Sequence, residues 1–426
     1  MEISEIKKRI VAEIDKSRDK IIGIAEKIFS KPEMGFRETE TAKLVAEELS
    51  ALGIECRTGL ALTGVKGNLK GRQSLARVAV MGELDSVTSR CHPASDPVSG
   101  AAHACGHNGQ IAAMIGAAIA LSAVKDELDG DVCFFATPAE EYVEIGYREK
   151  LVESGKIGFL GGKQELIRLG EFDDIDMAMM VHAEATPENC LLLNGGSLGF
   201  VAKTIDFIGK AAHAGGAPHE GINALNAAMA AMMCIHAQRE TFRDEDRIRV
   251  HPIITNGGEL VNTVPDKVTM ETYVRGASLE AIYGASAKVD RAVEGGAMAI
   301  GAVAEIKTYK GYLPLFQSEE ISTIFAENCK YLNNPPELRY GIDMCGSSDV
   351  GDLSHIIPTI QPTMGGFYGK LHAEDFAVAD KELAYINPAK LMALTVVDLL
   401  SNGAMGALEI KNNFKPRLTK EEYIKI

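Results

Sequence analysis

The sequence is short of positive charge. Lys and Arg number 44 against 59 Asp and Glu, which leaves a formal charge of −15. A surface this acidic repels phosphate backbones and acidic lipid, so neither nucleic acid nor a membrane is expected as a partner. The eight cysteines (56, 91, 105, 133, 190, 234, 329 and 345) include no Cys-x-x-Cys pair. Such scatter fits free thiols in a reducing compartment, with the cytoplasm as the expected location. Long apolar runs are missing too. The N-terminal stretch has no apolar core of the kind a signal peptide needs. The most apolar run, residues 111–124, is 14 residues long and falls short of the roughly 20 that span a bilayer. No internal repeat and no low-complexity segment interrupts the chain.

What is present is the composition of a folded protein, 24% charged and 46% hydrophobic, which excludes disorder and collagen-like repetition. At about 150 residues per domain, 426 residues make two to three domains. Glycine, at 42 residues, points to many tight turns. Isoleucines at three- and four-residue steps predict a helix over 4–30, and a second helix is expected from Thr39 to about Leu52, closed by Gly53. Apolar strands are expected at 77–81, 131–136 and 177–181, with an Ala-rich buried helix at 109–124. Strands alternating with helices, with polar residues at the strand ends, describe an open α/β sheet whose site lies at the strands' carboxyl ends. The texture changes near Gly196. A strand at 200–207, a helix at 223–238, strands at 247–255 and 267–275 and a helix at 279–300 make a compact α+β unit of the split βαβ, ferredoxin-like kind. Helices at 318–332 and 387–401 return to the first texture. The expected organisation is a main α/β domain with a mixed sheet flanked by helices, at 1–197 and 304–426, and a smaller domain inserted at 198–303.

Chemistry concentrates in a few segments. His103-Ala104-Cys105-Gly106-His107-Asn108 precedes the buried helix. In an extended segment positions 103, 105 and 107 share a side, and Cys and His are preferred ligands of zinc and similar metals. Glu140 and Glu141 end an apolar strand and point opposite ways. One can therefore bind a metal while the other takes a proton from an activated water. His182 ends another strand, and His372 lies late in the chain. Alone, each is commonplace; together they supply one thiol, three imidazoles and two carboxylates from four segments.

These motifs resemble the metallopeptidase-type amidohydrolases, a family of aminoacylases, hippurate hydrolases, auxin-conjugate hydrolases and folate-cleaving carboxypeptidases. The resemblance runs from Lys31-Pro32-Glu33-Met34-Gly35-Phe36 through Gly82-Glu83-Leu84-Asp85, the Cys105 segment and Thr137-Pro138-Ala139-Glu140-Glu141 to His372. Cys105-Gly106-His107-Asn108, Ala211-Ala212-His213-Ala214, Ile254-Thr255-Asn256-Gly257-Gly258 and residues 346–352 are most similar to the aminobenzoyl-glutamate hydrolase and β-alanyl-lysine dipeptidase-like members. The resemblance implies a metal-dependent hydrolase of an amide bond in an N-acyl amino acid or dipeptide-like substrate, with one or two divalent ions, zinc or manganese. It implies Cys105, His107, Glu141, His182 and His372 as metal ligands, Glu140 as general base and Asp85 as a supporting residue. It also implies a homodimer, in which the inserted domain acts as lid and dimerisation domain and His213 reaches the partner's site to stabilise the oxyanion. Asn262 and Arg275 match residues that hold the substrate's carboxylate or carbonyl; the planar Arg fork suits a carboxylate.

Three positions depart from many relatives: Glu83, where His is common, Asn108, where Asp is common, and Gln110, where His is common. Tyr142-Val143-Glu144 also stands where relatives often have Gly, a change with no physical account. Two other readings remain open at this level. One is a non-catalytic metal-binding or regulatory subunit of the same fold. The other is an aminopeptidase-like enzyme that recognises a free amine through Glu83, Glu144 or Asp349. A requirement for a second, different subunit is also open.

Overall fold

The computed structural model describes residues 2–344 and 346–426. Cys345 lies outside them, and the other seven cysteines are free thiols. The chain divides into two compact units. The first comprises Met1–Gly196, Phe316–Met344 and Asp352–Ile426; the second comprises Ser197–Leu315 and Cys345–Gly351.

The first unit is built on a six-stranded mixed sheet. Its order is Glu55–Leu60, Gly64–Leu69, Asp131–Thr137, Arg77–Glu83, Met177–Met179 and Thr359–Ile360. The first two strands form an antiparallel hairpin, and the second pairs antiparallel with Asp131–Thr137. The last four strands are mutually parallel. Asp131–Thr137 is buried along its whole length, as expected of a strand covered on both faces. The Glu55–Leu60 hairpin escaped the sequence reading, because its first strand is mostly exposed and carries no apolar run.

Helix His107–Val124 is the central helix of this unit. It packs on the sheet and against helices Ile3–Lys16, Arg18–Phe29 and Asn387–Leu400. Its small residues let the neighbours come close: a Cβ on Gly116 would lie 2.9 Å from both Ala389 Cβ and Ile21 Cδ1. The apolar run that looked too short for a bilayer is part of a longer helix. His107–Glu127 and Glu382–Leu400 are long and apolar enough to cross a membrane, but both are mostly buried inside the protein. They are core helices. The single helix expected at 4–30 is two, because Ser17 leaves helical geometry at φ −95° and ψ 6° between them.

A smaller four-stranded sheet in the same unit sets His182–Ala183 parallel to Thr363–Met364, with Cys190–Leu193 and Glu337–Tyr340 beyond. It brings His182 to the carboxyl end of the main sheet's parallel strands.

The second unit is a β-α-β-β-α-β arrangement. Its antiparallel sheet runs Arg249–Val250, Lys267–Gly276, Gly199–Ile208 and Val303–Lys310, with Ile253–Asn256 also on Lys267–Gly276. Lys267–Gly276 alternates partly exposed and buried residues, so one face of the sheet is covered. Helices Ala224–Ala237 and Leu279–Ile300 pack together over that face. Leu279–Ile300 begins where Ser278 Oγ accepts the Ala281 N–H and ends at Gly301, φ 81°. The unit continues past residue 303 because Val303–Lys310 pairs antiparallel with Gly199–Ile208. That closing strand was not legible beforehand.

Candidate metal centre and active site

Strand Arg77–Glu83 ends at the site. Glu83 and Asp85 both have no exposed surface. Gly106, at φ 84°, turns the chain from Cys105 into the helix that begins at His107. This left-handed turn is open to glycine at little cost. His372 also sits at positive φ, 66°, and its N–H donates to the Ala104 carbonyl at 2.8 Å. A residue 267 positions away is thereby tied to the Cys105 segment.

The donor atoms that could hold a metal converge on Cys105. Its Sγ lies 3.5 Å from His182 Nε2 and 3.3 Å from His372 Nε2. His372 Nε2 is 3.1 Å from Glu141 Oε1. Cys105, His107 and His182 form one group whose donor atoms lie within 4.8 Å of one another, and Cys105, Glu141 and His372 form a second. The two share the Cys105 sulfur. Glu83, His107 and Glu140 form a third group under the same limit. There His107 Nε2 lies 3.1 Å from Glu83 Oε2 and 3.9 Å from Glu140 Oε2.

Two backbone carbonyls orient the imidazoles. His107 Nδ1 donates to the Asp85 carbonyl at 2.9 Å, and His182 Nδ1 donates to the Ala183 carbonyl at 2.9 Å. Carbonyl oxygens only accept, so each neutral ring carries its proton on Nδ1 and turns its Nε2 lone pair inward. The Asp85 carboxylate adds to this, with Oδ1 3.3 Å from His107 Nδ1 and Oδ2 accepting the Glu141 N–H at 2.9 Å.

The residues fit a divalent metal on two grounds. The donor set of thiolate, imidazole and carboxylate is that of zinc and related ions. Moreover, the buried His107 Nε2 and Glu141 Oε1 face other donor atoms of the cluster, Glu83 Oε2 and His372 Nε2, each at 3.1 Å. The electrostatics agree. Burial opposes ionisation of the Cys105 thiol, but the charges of His182 and His107 outweigh it and hold the thiol well below its ordinary range. Burial likewise disfavours a charged His107, yet Glu83 and Cys105 push it well above the usual imidazole value. His372 is pushed up to about 11 against its burial, by hydrogen bonds to Cys105 and Glu141. These buried anions demand positive charge.

Glu140 and Glu141 leave the strand on a loop held by residues the sequence did not single out. Ala139 stands at φ 50°, and its N–H donates to Glu38 Oε1 at 2.8 Å. The Glu38 carboxyl has no exposed surface, and its Oε2 accepts from Thr63 Oγ1 at 2.6 Å. Arg148, also buried, donates to the carbonyls of Glu141 and Leu160, the latter at 2.6 Å. Lys163 pairs with Glu83 Oε1 at 2.6 Å, while Gln110 Nε2 donates to Glu83 Oε2 at 2.9 Å. In sequence these look like ordinary surface charges in polar stretches; only their burial marks them.

His103 belongs to none of the three groups. Both its ring nitrogens are buried without a hydrogen bond. Burial, then the charge of neighbouring His107, pushes its pKa down to about 3. The shared side expected for positions 103, 105 and 107 ends where His107 enters the helix, and only 105 and 107 reach the ligand groups. The departures also find a place. Asn108 Nδ2 donates to the Ala25 carbonyl at 3.2 Å and lies 3.4 Å from the Tyr385 hydroxyl, so it ties helices together.

Three expected site residues lie in the second unit. His213 Nδ1 accepts the N–H groups of Gly215 and Gly216 at 3.1 and 2.9 Å. Its ring proton therefore sits on Nε2, on an exposed side chain. Asn262 is adjacent, because its carbonyl accepts the Ala214 N–H at 2.9 Å and His213 bridges to Thr263. Arg275 Nη1 donates to Ser347 Oγ at 2.6 Å, and its guanidinium lies 5.1 Å from the Phe200 ring and 5.3 Å from the Tyr273 ring.

Buried thiolate, imidazole and carboxylate ligands at the carboxyl ends of parallel strands, with a further carboxylate beside them, define a metal-dependent hydrolase of amide bonds. The chain belongs to peptidase family M20/M25/M40, whose family model matches residues 79–386. It is 27% identical to the Xaa-Arg dipeptidase of Mus musculus, over 99% of this chain and 95% of that one. It is 28% identical to the N-acetylcysteine deacetylase of Bacillus subtilis, over 70% of this chain and 76% of that enzyme. Among solved structures, it shares its fold with the aminobenzoyl-glutamate utilization protein of Klebsiella pneumoniae (TM-score 0.69, 17% identity, 92% of this chain and 98% of that one). A dinuclear metal-binding peptidase of the M20 family from Bacillus subtilis is also similar (TM-score 0.68, 23% identity, 91% and 99%).

Two predictions come from the hydrogen bonds around the ligands. Removing the Asp85 carboxylate releases both the His107 ring and the Glu141 backbone. Asp85→Ala is expected to weaken metal binding by about 10–100-fold in competition with a chromogenic chelator. Glu38 has its pKa raised from 4.5 to about 7 by burial and by the Asp85 charge. A raised folded-state value makes this group's stabilisation complete below its unfolded pKa and lost as pH rises through about 7. Glu38→Gln is therefore expected to raise the urea midpoint above that of the parent at about pH 8, with the gap closing by about pH 5.

Proposed function

We propose that this enzyme cleaves the amide bond of a dipeptide or N-acyl amino acid whose amino-acid half carries a free carboxylate. The observation that carries this reading is the pair of ligand groups sharing Cys105, with Glu140 beside them on the same loop as Glu141. Cys105, His107 and His182 would hold one divalent ion, and Cys105, Glu141 and His372 a second. A divalent ion there would polarise the scissile carbonyl and lower the pKa of water. Zinc suits the Cys105 thiolate, whereas the imidazoles and carboxylate also suit manganese.

Glu140 acts as general base, takes the water's proton and returns it to the leaving amine. Asp85 keeps His107 and Glu141 in position. His213 offers its Nε2 proton to the developing oxyanion of a partner subunit's substrate, a role for which the two N–H groups at Nδ1 fix the tautomer. Asn262 and Arg275 hold the substrate's carboxylate or carbonyl. The free-amine reading loses two of its three candidates: Glu83 is occupied by Lys163 and Gln110, and Glu144 pairs with Arg37. The dipeptidase and deacetylase activities named for the two relatives support the substrate class.

A homodimer through the second unit completes the proposal. Met229 and Met233 are exposed one turn apart on helix Ala224–Ala237, and Ile253, Leu260 and Val261 are exposed in the same unit. Apolar surface of this kind is what a partner chain covers.

Glu140→Ala is expected to keep its metal, read by elemental analysis, and to lose roughly 10²–10⁴-fold in turnover of aminobenzoyl-glutamate, β-alanyl-lysine, hippurate, N-acetyl amino acids or plain dipeptides. Full turnover in that variant would overturn the assignment. Mixing inactive Glu140→Ala with inactive His213→Ala is expected to restore activity, because mixed dimers hold one site with both groups intact. No recovery after subunit exchange would remove His213 from the partner's site.

A further inference from the structure

The second unit contains a cavity of about 380 Å³ that the hydrolytic reading does not use. It lies where helix Ala224–Ala237 ends and the chain turns back to strand Arg249–Val250. Four arginines line it, Arg239, Arg243, Arg247 and Arg249, against one acidic residue, Asp244. The segment 239–249 also contains Glu240, Glu245 and Asp246, but none of these lines the cavity. Four arginines thus line one concavity in a chain whose net charge is −15.

The arrangement is held in place. Arg239 donates from Nε to His236 Nδ1 and from Nη2 to the Val250 carbonyl, both at 3.3 Å. Arg249 Nη1 donates to the Ile248 carbonyl at 2.9 Å. Arg243 makes a loose ion pair, 3.8 Å from Glu245. Arg247 occupies the left-handed region at φ 51°, in a turn closed by its N–H on the Asp244 carbonyl at 3.1 Å. A non-glycine residue adopts this conformation only where the surrounding structure holds it, and such strain is found where a binding site must be shaped. From the next helix, Lys288 donates to the Thr241 carbonyl at 2.9 Å and adds a fifth cation beside the segment. Phe242 and Ile248 give the cavity an apolar part. Planar guanidinium forks match carboxylate and phosphate oxygens.

We propose that this cavity is a binding site for a small organic oxyanion with two negative charges, a phosphate monoester or a dicarboxylate. The site belongs wholly to the second unit and uses none of the residues assigned to hydrolysis.

The test is isothermal titration of the metal-loaded, full-length protein with glycerol 3-phosphate in one arm and succinate in the other. Saturable binding is expected in at least one arm, weakening as salt is raised. Binding of glycerol 3-phosphate alone identifies a phosphate site, and binding of succinate alone a carboxylate site. Arg243→Ala/Arg249→Ala, at two exposed positions, is expected to weaken binding at least about tenfold, the loss of charge-assisted hydrogen bonds. Arg275→Ala is expected to leave it unchanged. If the double variant melts differently from the parent, Arg243→Gln alone serves the same comparison. Absence of binding in both arms overturns the proposal. So does binding that survives loss of the lining arginines, or binding that disappears with Arg275.

Discussion

Burying several negative charges in one place, at the carboxyl ends of parallel strands, is the constraint on which the catalytic unit depends. Glu83, Asp85, Cys105, Glu140 and Glu141 are all buried there. Buried charges are costly unless paired and hydrogen-bonded. The surrounding structure supplies the pairing piece by piece. Lys163, itself fully buried, neutralises Glu83. The Glu141 N–H donates to the Asp85 carboxylate, and the Asp85 carbonyl accepts a hydrogen bond from His107 Nδ1. What is left is a thiolate, a carboxylate and inward-facing imidazole nitrogens, which only a cation satisfies. The same closeness of opposite charges pushes His107 and His372 up and Cys105 down.

This arrangement explains the unusual backbone nearby. Gly106, Ala139 and His372 all adopt positive φ, each where a ligand-bearing segment turns toward the cluster. Only Gly106 does so without a side-chain penalty. At Ala139 the penalty is offset by the Glu38 hydrogen bond to its N–H, and at His372 by the bond to the Ala104 carbonyl. The core makes the same geometry rigid. The helix that starts at His107 is enclosed by three others, so His107 cannot drift without disturbing Ile21, Ala389 and the sheet beneath.

The second unit is built on different terms. Its helices cover one face of an antiparallel sheet, and its functional candidates stand on exposed turns and a strand end. His213 gains a defined tautomer from two backbone N–H groups, and Arg275 is steadied by Ser347 and two aromatic rings. Both are therefore organised before any substrate arrives, which lowers the ordering cost of binding. The arginines at 239–249 show the same pattern of prior organisation in a place without an assigned role.

Much of this was legible in the sequence, for local reasons. Periodicity marked the long helix at 279–300 to the residue, because Ser278 and Gly301 are strong end signals. The residue types of metal chemistry stood out at Cys105, His107, Glu140, Glu141, His182 and His372 because few other roles need thiols, imidazoles and paired carboxylates at strand ends. Other features were silent because nothing local distinguishes them. Glu38, Arg148 and Lys163 look like surface charges until burial shows their partners, and Val303–Lys310 looks like a return to the main domain until it pairs with Gly199–Ile208. The sequence determined which chemical groups exist and which local elements carry them, since side-chain identity and short-range periodicity are written in adjacent residues. Only the tertiary structure decided that Cys105 is shared between two ligand groups, which imidazole nitrogens face inward and which charges are neutralised. Those outcomes depend on distances between segments as much as 267 residues apart and on the loss of water around them.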